Sequence, residues 1–152
     1  MKKWVYAMLL VCTLLGCSYK PTSYQFPNKS IPIHSVELLH NMNPGGIGID
    51  ENNMDLLLTL GDLEIMGFME NIYGLPTKRC GTPPPYGYGE YIAKVTYENG
   101  AVEFFGSTNI VHIPSGKISY GVGDYFFDGT SFEELFSQYI DISSLPIPPI
   151  IE

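Results

Sequence analysis

Between residues 35 and 142 the apolar positions either alternate with polar ones or recur at helical spacing. Val36, Leu38 and His40 alternate with Glu37 and Leu39, which predicts a first strand with one mostly apolar face. Asn43-Pro44-Gly45-Gly46 ends it, and a loop runs to Asn53. Asp55–Leu60 is too short to fix its own period and reads as a second strand rather than a helix start. Ile65, Phe68, Met69 and Ile72 then fall at i, i+3, i+4 and i+7, one face of a helix. Thr59 and Asp62 suit its N-terminal cap, and Gly74 followed by Pro76 its stop. Gly67 inside this helix costs about 1 kcal/mol relative to alanine, so close packing against it is expected.

Strands return after a Pro-rich loop. Tyr91–Tyr97 and Ala101–Phe105 flank Glu98-Asn99-Gly100, and Asn-Gly between alternating runs is a hairpin signal. Asn109–Ile113 and Lys117–Val122, joined by Pro114-Ser115-Gly116, predict a second hairpin. Ser131-Phe132-Glu133-Glu134 has the form of a capping box and opens a last helix carrying Phe132, Leu135, Phe136 and Ile140. The order β-β-α-β-β-β-β-α is an α+β layout, an antiparallel meander sheet with two helices packed on one face.

The N-terminal seventeen residues follow another pattern. Lys2 and Lys3 lead an apolar run from Trp4 to Leu15, closed by Gly16-Cys17. A charged start, a short apolar region and a small residue at a cut site make an export signal. As a helix the run rises only about 18 Å, short of a hydrocarbon core of about 30 Å, so it is not a spanning anchor. Leu14-Leu15-Gly16-Cys17 resembles the bacterial lipobox, and the resemblance implies cleavage before Cys17, acylation of its thiol and attachment to a membrane on its extracytoplasmic side. Residues 1–16 are then a lipoprotein signal peptide and residues 17–34 the acylated cysteine and a Pro-rich tether, reaching roughly 20 to 25 Å as a coil. Residues 35–142 are the α+β domain, and residues 143–152 an extended Pro-rich tail.

The chain carries 8 basic and 16 acidic residues, and loss of Lys2 and Lys3 with the signal takes the net charge from −8 to about −10. An acidic domain with scattered lysines is unsuited to nucleic acid, where phosphate neutralisation dominates affinity. Anionic lipid repels it as a whole, so the acyl chain and not a surface patch must hold it at the membrane.

Candidate chemistry is sparse. With Cys12 discarded and Cys17 acylated, Cys80 stands alone, and Lys78 and Arg79 beside it favour a thiolate, although a half-buried loop cysteine is the plainer reading. Cys80 with His112 forms a nucleophile–base pair by composition only. Asp124 and Asp128 form an acid pair that would serve sugar hydrolysis only at roughly 5 to 10 Å in a cleft. His34, His40 and His112 have no metal-ligand spacing, and no cofactor motif is present. Asp50–Asp55 has a calcium-loop composition without the glycine and glutamate that such a loop needs, which favours a turn. The loop Pro83–Tyr88 offers Tyr86 and Tyr88 as a binding edge for protein or glycan, against the plainer reading of a stiff connection with tyrosines on the sheet.

The helix before Gly74-Leu75-Pro76, the Tyr91–Phe105 hairpin and the closing Ser131–Leu135 helix, behind a lipobox, resemble small bacterial envelope lipoproteins with one α+β domain. That resemblance implies a layout and carries over no functional residues. The expectation is a lipid-anchored, non-enzymatic binding module contacting an envelope protein or cell-wall glycan. The alternatives are a small hydrolase using Cys80/His112 or Asp124/Asp128, and an inhibitory or assembly module working through a strand edge or the Pro83–Tyr88 loop. Replacing Cys17 by alanine is expected to abolish incorporation of labelled palmitate and to release the protein from the membrane fraction.

Overall fold

A computed structural model describes residues 23–46, 48–80, 87, 89–117 and 123–148. Seven strands form one antiparallel sheet: β1 (Ile33–Asn41), β2 (Met54–Thr59), β3 (Thr77–Arg79), β4 (Tyr91–Tyr97), β5 (Val102–Gly106), β6 (Ile110–Ile113) and β7 (Tyr125–Phe127). Their spatial order is β2-β1-β4-β5-β6-β7-β3. The helices are α1 (Asp62–Gly74) and α2 (Gly129–Ser137). The α+β class is borne out, with β4 to β7 as the meander.

Alternation along the central strands gives the sheet two buried faces. Val36, Leu38, Val95, Tyr97 and Phe105 share one core with Phe68, Met69 and Ile72 of α1 and with Phe132, Leu135 and Phe136 of α2. Leu39, Ile92, Phe104 and Val111 point the other way, where Ile49 joins them. The expected helical stripe is thus the buried face of α1, with Ile65 packed at its margin. The hairpin closes through Tyr97 N donating to Ala101 O at 3.0 Å, with Gly100 at φ 78°, a left-handed position that favours glycine.

Several local expectations are corrected. The stretch assigned to a free tether is packed from Tyr24 onward. Tyr24 and Phe26 meet edge to face at 4.9 Å, Phe26 meets Tyr73 at 4.9 Å, and Ile31 and Ile33 join the helix-side core. Prolines favour extended backbone, but an extended segment can still bury alternate side chains. The N-cap of α1 is Gly61, not Thr59, and its amide donates to Glu64 Oε2 at 2.8 Å. The N-cap of α2 is Asp128, three residues before the expected Ser131, and Ser131 Oγ, now inside the helix, donates back to the Asp128 carboxylate at 3.2 Å. Thr77–Arg79, in the connection after α1, is edge strand β3, and Tyr125–Phe127, between the expected second hairpin and the last helix, is β7. Of the expected strand over 117–122, Lys117 lies outside any strand, and 118–122 lie outside the described residues.

Among the described residues nothing packs against Gly67: a Cβ built there meets no atom within 4 Å, and the residue is exposed. Gly67→Ala should therefore stabilise the domain by about 0.5–1 kcal/mol through the lost backbone freedom of glycine alone. A thermal midpoint unchanged or lowered in Gly67→Ala would contradict this.

Candidate functional site

The most unusual side chain in the core is Glu103. It lies on β5 two residues before Phe105, so alternation turns it to the helix side, where it is wholly buried. Its cross-strand neighbours are Val95 on β4 and His112 on β6. A buried carboxylate needs donors for its lone pairs. Tyr24 Oη donates to Oε1 at 2.6 Å, and Tyr97 Oη donates to Oε2. Tyr73 stands behind Tyr97 as a further hydroxyl. His112 Nδ1 is 3.5 Å from Glu103 Oε1 and 3.3 Å from Asn28 Nδ2. One ring nitrogen cannot serve both at once. An unprotonated Nδ1 accepts from Asn28, whereas a proton on Nδ1 points at Glu103 and requires the Asn28 amide to turn over.

Electrostatics keep the phenols neutral. Burial, and after it the negative charge of Glu103, pushes Tyr24 and Tyr97 far above the ordinary phenol range. Burial also raises Tyr73. The cluster holds Tyr24, and with it the N-terminal segment, against the sheet.

His40, unlike the partly exposed His112, is fully buried, stacked on Tyr91 and 3.1 Å from Glu90 Oε1. It faces away from Glu37, which pairs instead with Lys94 at 3.6 Å, as strand alternation requires. Exposed His34 lies 3.5 Å from Glu98.

The other candidates from the sequence are kept apart. Cys80 is half-buried just after β3, its amide bonded to Asp124 O at 2.7 Å. Burial first, and the Asp124 carboxylate second, push its thiol up, against the expected effect of Lys78 and Arg79. His112 is engaged with Glu103 and Asn28, and two strand spacings, about 9.6 Å, separate the backbones of β3 and β6. Asp124 and Asp128 flank the extended strand β7, so their backbones stand about 13 Å apart, beyond the spacing of a paired-acid site. Asp128 also takes Ser131 and lies 3.8 Å from Lys78. The Asp50 carboxylate accepts from Asn52 N, Asn52 Nδ2 and Asn53 Nδ2 at 3.1, 2.9 and 2.7 Å, which is turn chemistry. Among the described residues no group of three or more His, Cys, Asp or Glu side chains is placed to hold a metal ion. Cys17, Tyr86 and Tyr88 lie outside the described residues. Gly87, between the two tyrosines, is buried at φ 86° and accepts Thr108 Oγ1 at 2.8 Å and Asn109 Nδ2 on its carbonyl.

The surface adds a feature that the sequence reading passed over. Among the described residues β2 is the outermost strand on one side of the sheet, and its residues Met54-Asp55-Leu56-Leu57-Leu58-Thr59 include no lysine, arginine or proline. Leu56 is 57% exposed beside it, and Leu63 and Met66 on the following helix are 91% and 67% exposed. Met66 and Ile65 line a groove of about 340 Å³ with Ile31, Pro32, Ile33 and Asp62. The signal was present in α1: Leu63 and Met66 are apolar at i, i+3 outside the Ile65–Ile72 stripe, so one apolar pair had to face water. At the far side of the sheet, β3 has three residues, two of them Lys78 and Arg79, behind Pro76.

Comparison with protein-family models, curated proteins and solved structures returned no match to this chain.

The Glu103 cluster makes stability fall at alkaline pH. Free phenols ionise near pH 10. Below that, folded and unfolded chains are equally protonated and the contribution is complete. Above it the unfolded chain releases protons that the folded chain keeps, and stability drops by about 1.4 kcal/mol per pH unit for each phenol. Urea midpoints taken from about pH 9 to 11 should fall steeply, and Tyr24→Phe should remove one phenol's share of that slope, about 1.4 kcal/mol per pH unit. An unchanged slope in Tyr24→Phe would show that its hydroxyl is not held by Glu103.

Proposed function

We propose that this protein is a lipid-anchored, non-enzymatic interaction module of the bacterial envelope, which takes up an extended segment of an envelope protein at the free edge of β2. The observation that carries the reading is the long apolar edge itself. Backbone donors and acceptors along an outer strand pair readily with another strand, and proteins commonly blunt such edges with lysine, proline or brevity. Here β3 is short and cationic, while β2 has six residues with Asp55 as its sole charge. Leu56 on one side of that edge and the Leu63/Met66 surface of the following helix supply apolar contact for alternate side chains of an added strand. Asp55, Asp62 and Glu64 around it favour a segment with basic residues among its apolar ones.

The anchorage half of the proposal rests on the Lys2–Cys17 pattern. No helix among the described residues is long and apolar enough to cross a membrane. The closed state of the Glu103 cluster, the raised Cys80 thiol and the separation of Asp124 from Asp128 favour binding over catalysis.

Leu56→Lys combined with Leu63→Lys tests the edge. Both positions are exposed, so stability should change by no more than about 0.5 kcal/mol each. Crosslinking in intact cells with the wild type should recover a specific envelope protein, and the double variant should recover severalfold less. Equal recovery by both proteins at equal surface abundance would move the binding face away from β2.

A further inference from the structure

The packing of Tyr24 shortens the connection to the proposed anchor and decides which side of the domain stands next to the lipid. Seven residue steps separate Cys17 from Tyr24, and however arranged they span at most about 25 Å. At Tyr24 the chain is held firmly. Its amide donates to Thr77 Oγ1 on β3 at 2.9 Å, its ring meets Tyr125 on β7 at 5.6 Å, and its hydroxyl donates to Glu103. The leash therefore ends at the β3 edge of the sheet, and β2 lies six strand spacings away, about 29 Å.

Charge is divided in the same sense. Six cations remain after signal removal: Lys20, Lys29, Lys78, Arg79, Lys94 and Lys117. Lys78 and Arg79 follow Thr77 on β3, both exposed, and Arg79 is paired with Tyr125. Lys29 lies 5.0 Å over Tyr73, whose ring packs on Phe26 beside Tyr24. Lys20 belongs to the leash itself. Asp128, 3.8 Å from Lys78, and Asp124, beside Cys80, offset charge on the strand itself. Glu70 and Glu134, on the helices behind it, line a groove with Leu75, so the cations that face outward at this edge are those of β3. At the other edge stand Asp50, Glu51, Asp55, Asp62 and Glu64, against which Lys94 is the near cation, bonded to Glu51. An anionic surface attracts the first edge and repels the second.

We propose that the β3 edge, with Lys29, Lys78 and Arg79, rests against anionic lipid headgroups and holds the sheet with β2 directed away from the bilayer. This rests on acylation of Cys17, because the acyl chain supplies attachment and the cations supply orientation. The whole domain stays acidic and needs the anchor. The leash brings these three cations within reach of the surface, where polybasic attraction falls off over a Debye length.

The test uses the full-length acylated protein with Cys80→Ser, reconstituted in vesicles of phosphatidylethanolamine with phosphatidylglycerol or of phosphatidylcholine alone. A fluorophore is placed at Gln25→Cys, exposed beside Tyr24, or at Asn52→Cys, exposed just before β2. Lipids with a quencher on the headgroup report proximity, and intact mass reports acylation. On anionic vesicles the Gln25 label should be quenched severalfold more than the Asn52 label. Lys29→Glu with Lys78→Glu and Arg79→Glu should reduce that ratio, as should neutral lipid. Acylated protein with equal quenching at both labels, or a ratio that neither charge reversal nor neutral lipid alters, overturns the orientation while leaving the anchor intact. Protein from the membrane fraction with no acyl mass on Cys17 overturns the anchor and the orientation with it.

Discussion

Burying the Glu103 carboxylate obliges the fold to bring donors to it, and one of those donors comes from outside the sheet. Tyr97 is supplied by the neighbouring strand β4, but Tyr24 precedes the first strand altogether. An ionised group wholly removed from water is tolerated only when its hydrogen bonds are made. The segment before β1 is therefore part of the domain. Once Tyr24 is held, Phe26 is drawn onto Tyr73 and Phe105, and Ile31 and Ile33 close the helix-side core. The Tyr24 amide in turn donates to Thr77 on the β3 edge.

Local signals were read well where they are local in origin. The Phe68, Met69 and Ile72 stripe repeats within two helical turns, and Asn99-Gly100 specifies its turn by backbone preference alone, so α1 and the β4–β5 hairpin were legible. The start of α2 was displaced because a capping motif fits several offsets, and Asp128 takes the N-cap position although its side chain makes no capping hydrogen bond. β3 was not legible, since three residues carry no period and their partner β7 lies at positions 125–127.

The Glu103 cluster was hidden for a different reason. Both faces of β5 are apolar, so a glutamate at position 103 has no polar face to belong to, and that mismatch was the available sign. Its donors are 6 and 79 residues away in the chain, and only the second pairing decides the fate of residues 24–33. Proline content suggested a free tether because it forbids helix, yet it does not forbid burial of Tyr24 and Phe26 from an extended backbone. Leu63 and Met66 escaped notice because helical periodicity was used to find the buried stripe, not to ask which apolar residues it leaves out.

An open seven-stranded sheet has two edges, and this chain treats them unequally. Pro76, Lys78 and Arg79 blunt β3, whereas β2 keeps its leucines and its backbone edge. In free solution an edge of that kind invites pairing with any exposed strand, including one from another copy. Under the proposed anchorage a short leash changes the encounter geometry. If the Glu103–Tyr24 contact ties the protected edge to the membrane side, every copy on that surface presents β2 in the same sense, about 29 Å from the leash. Encounters between copies are then confined to one layer and to a narrow range of orientations, in which acidic Asp55, Asp62 and Glu64 meet their like. A basic extended segment arriving from the periphery meets none of that repulsion. On the proposed reading, the buried carboxylate links three properties that appear separate in the sequence: which edge the anchored end meets, which edge is shielded, and which kind of strand the remaining edge accepts.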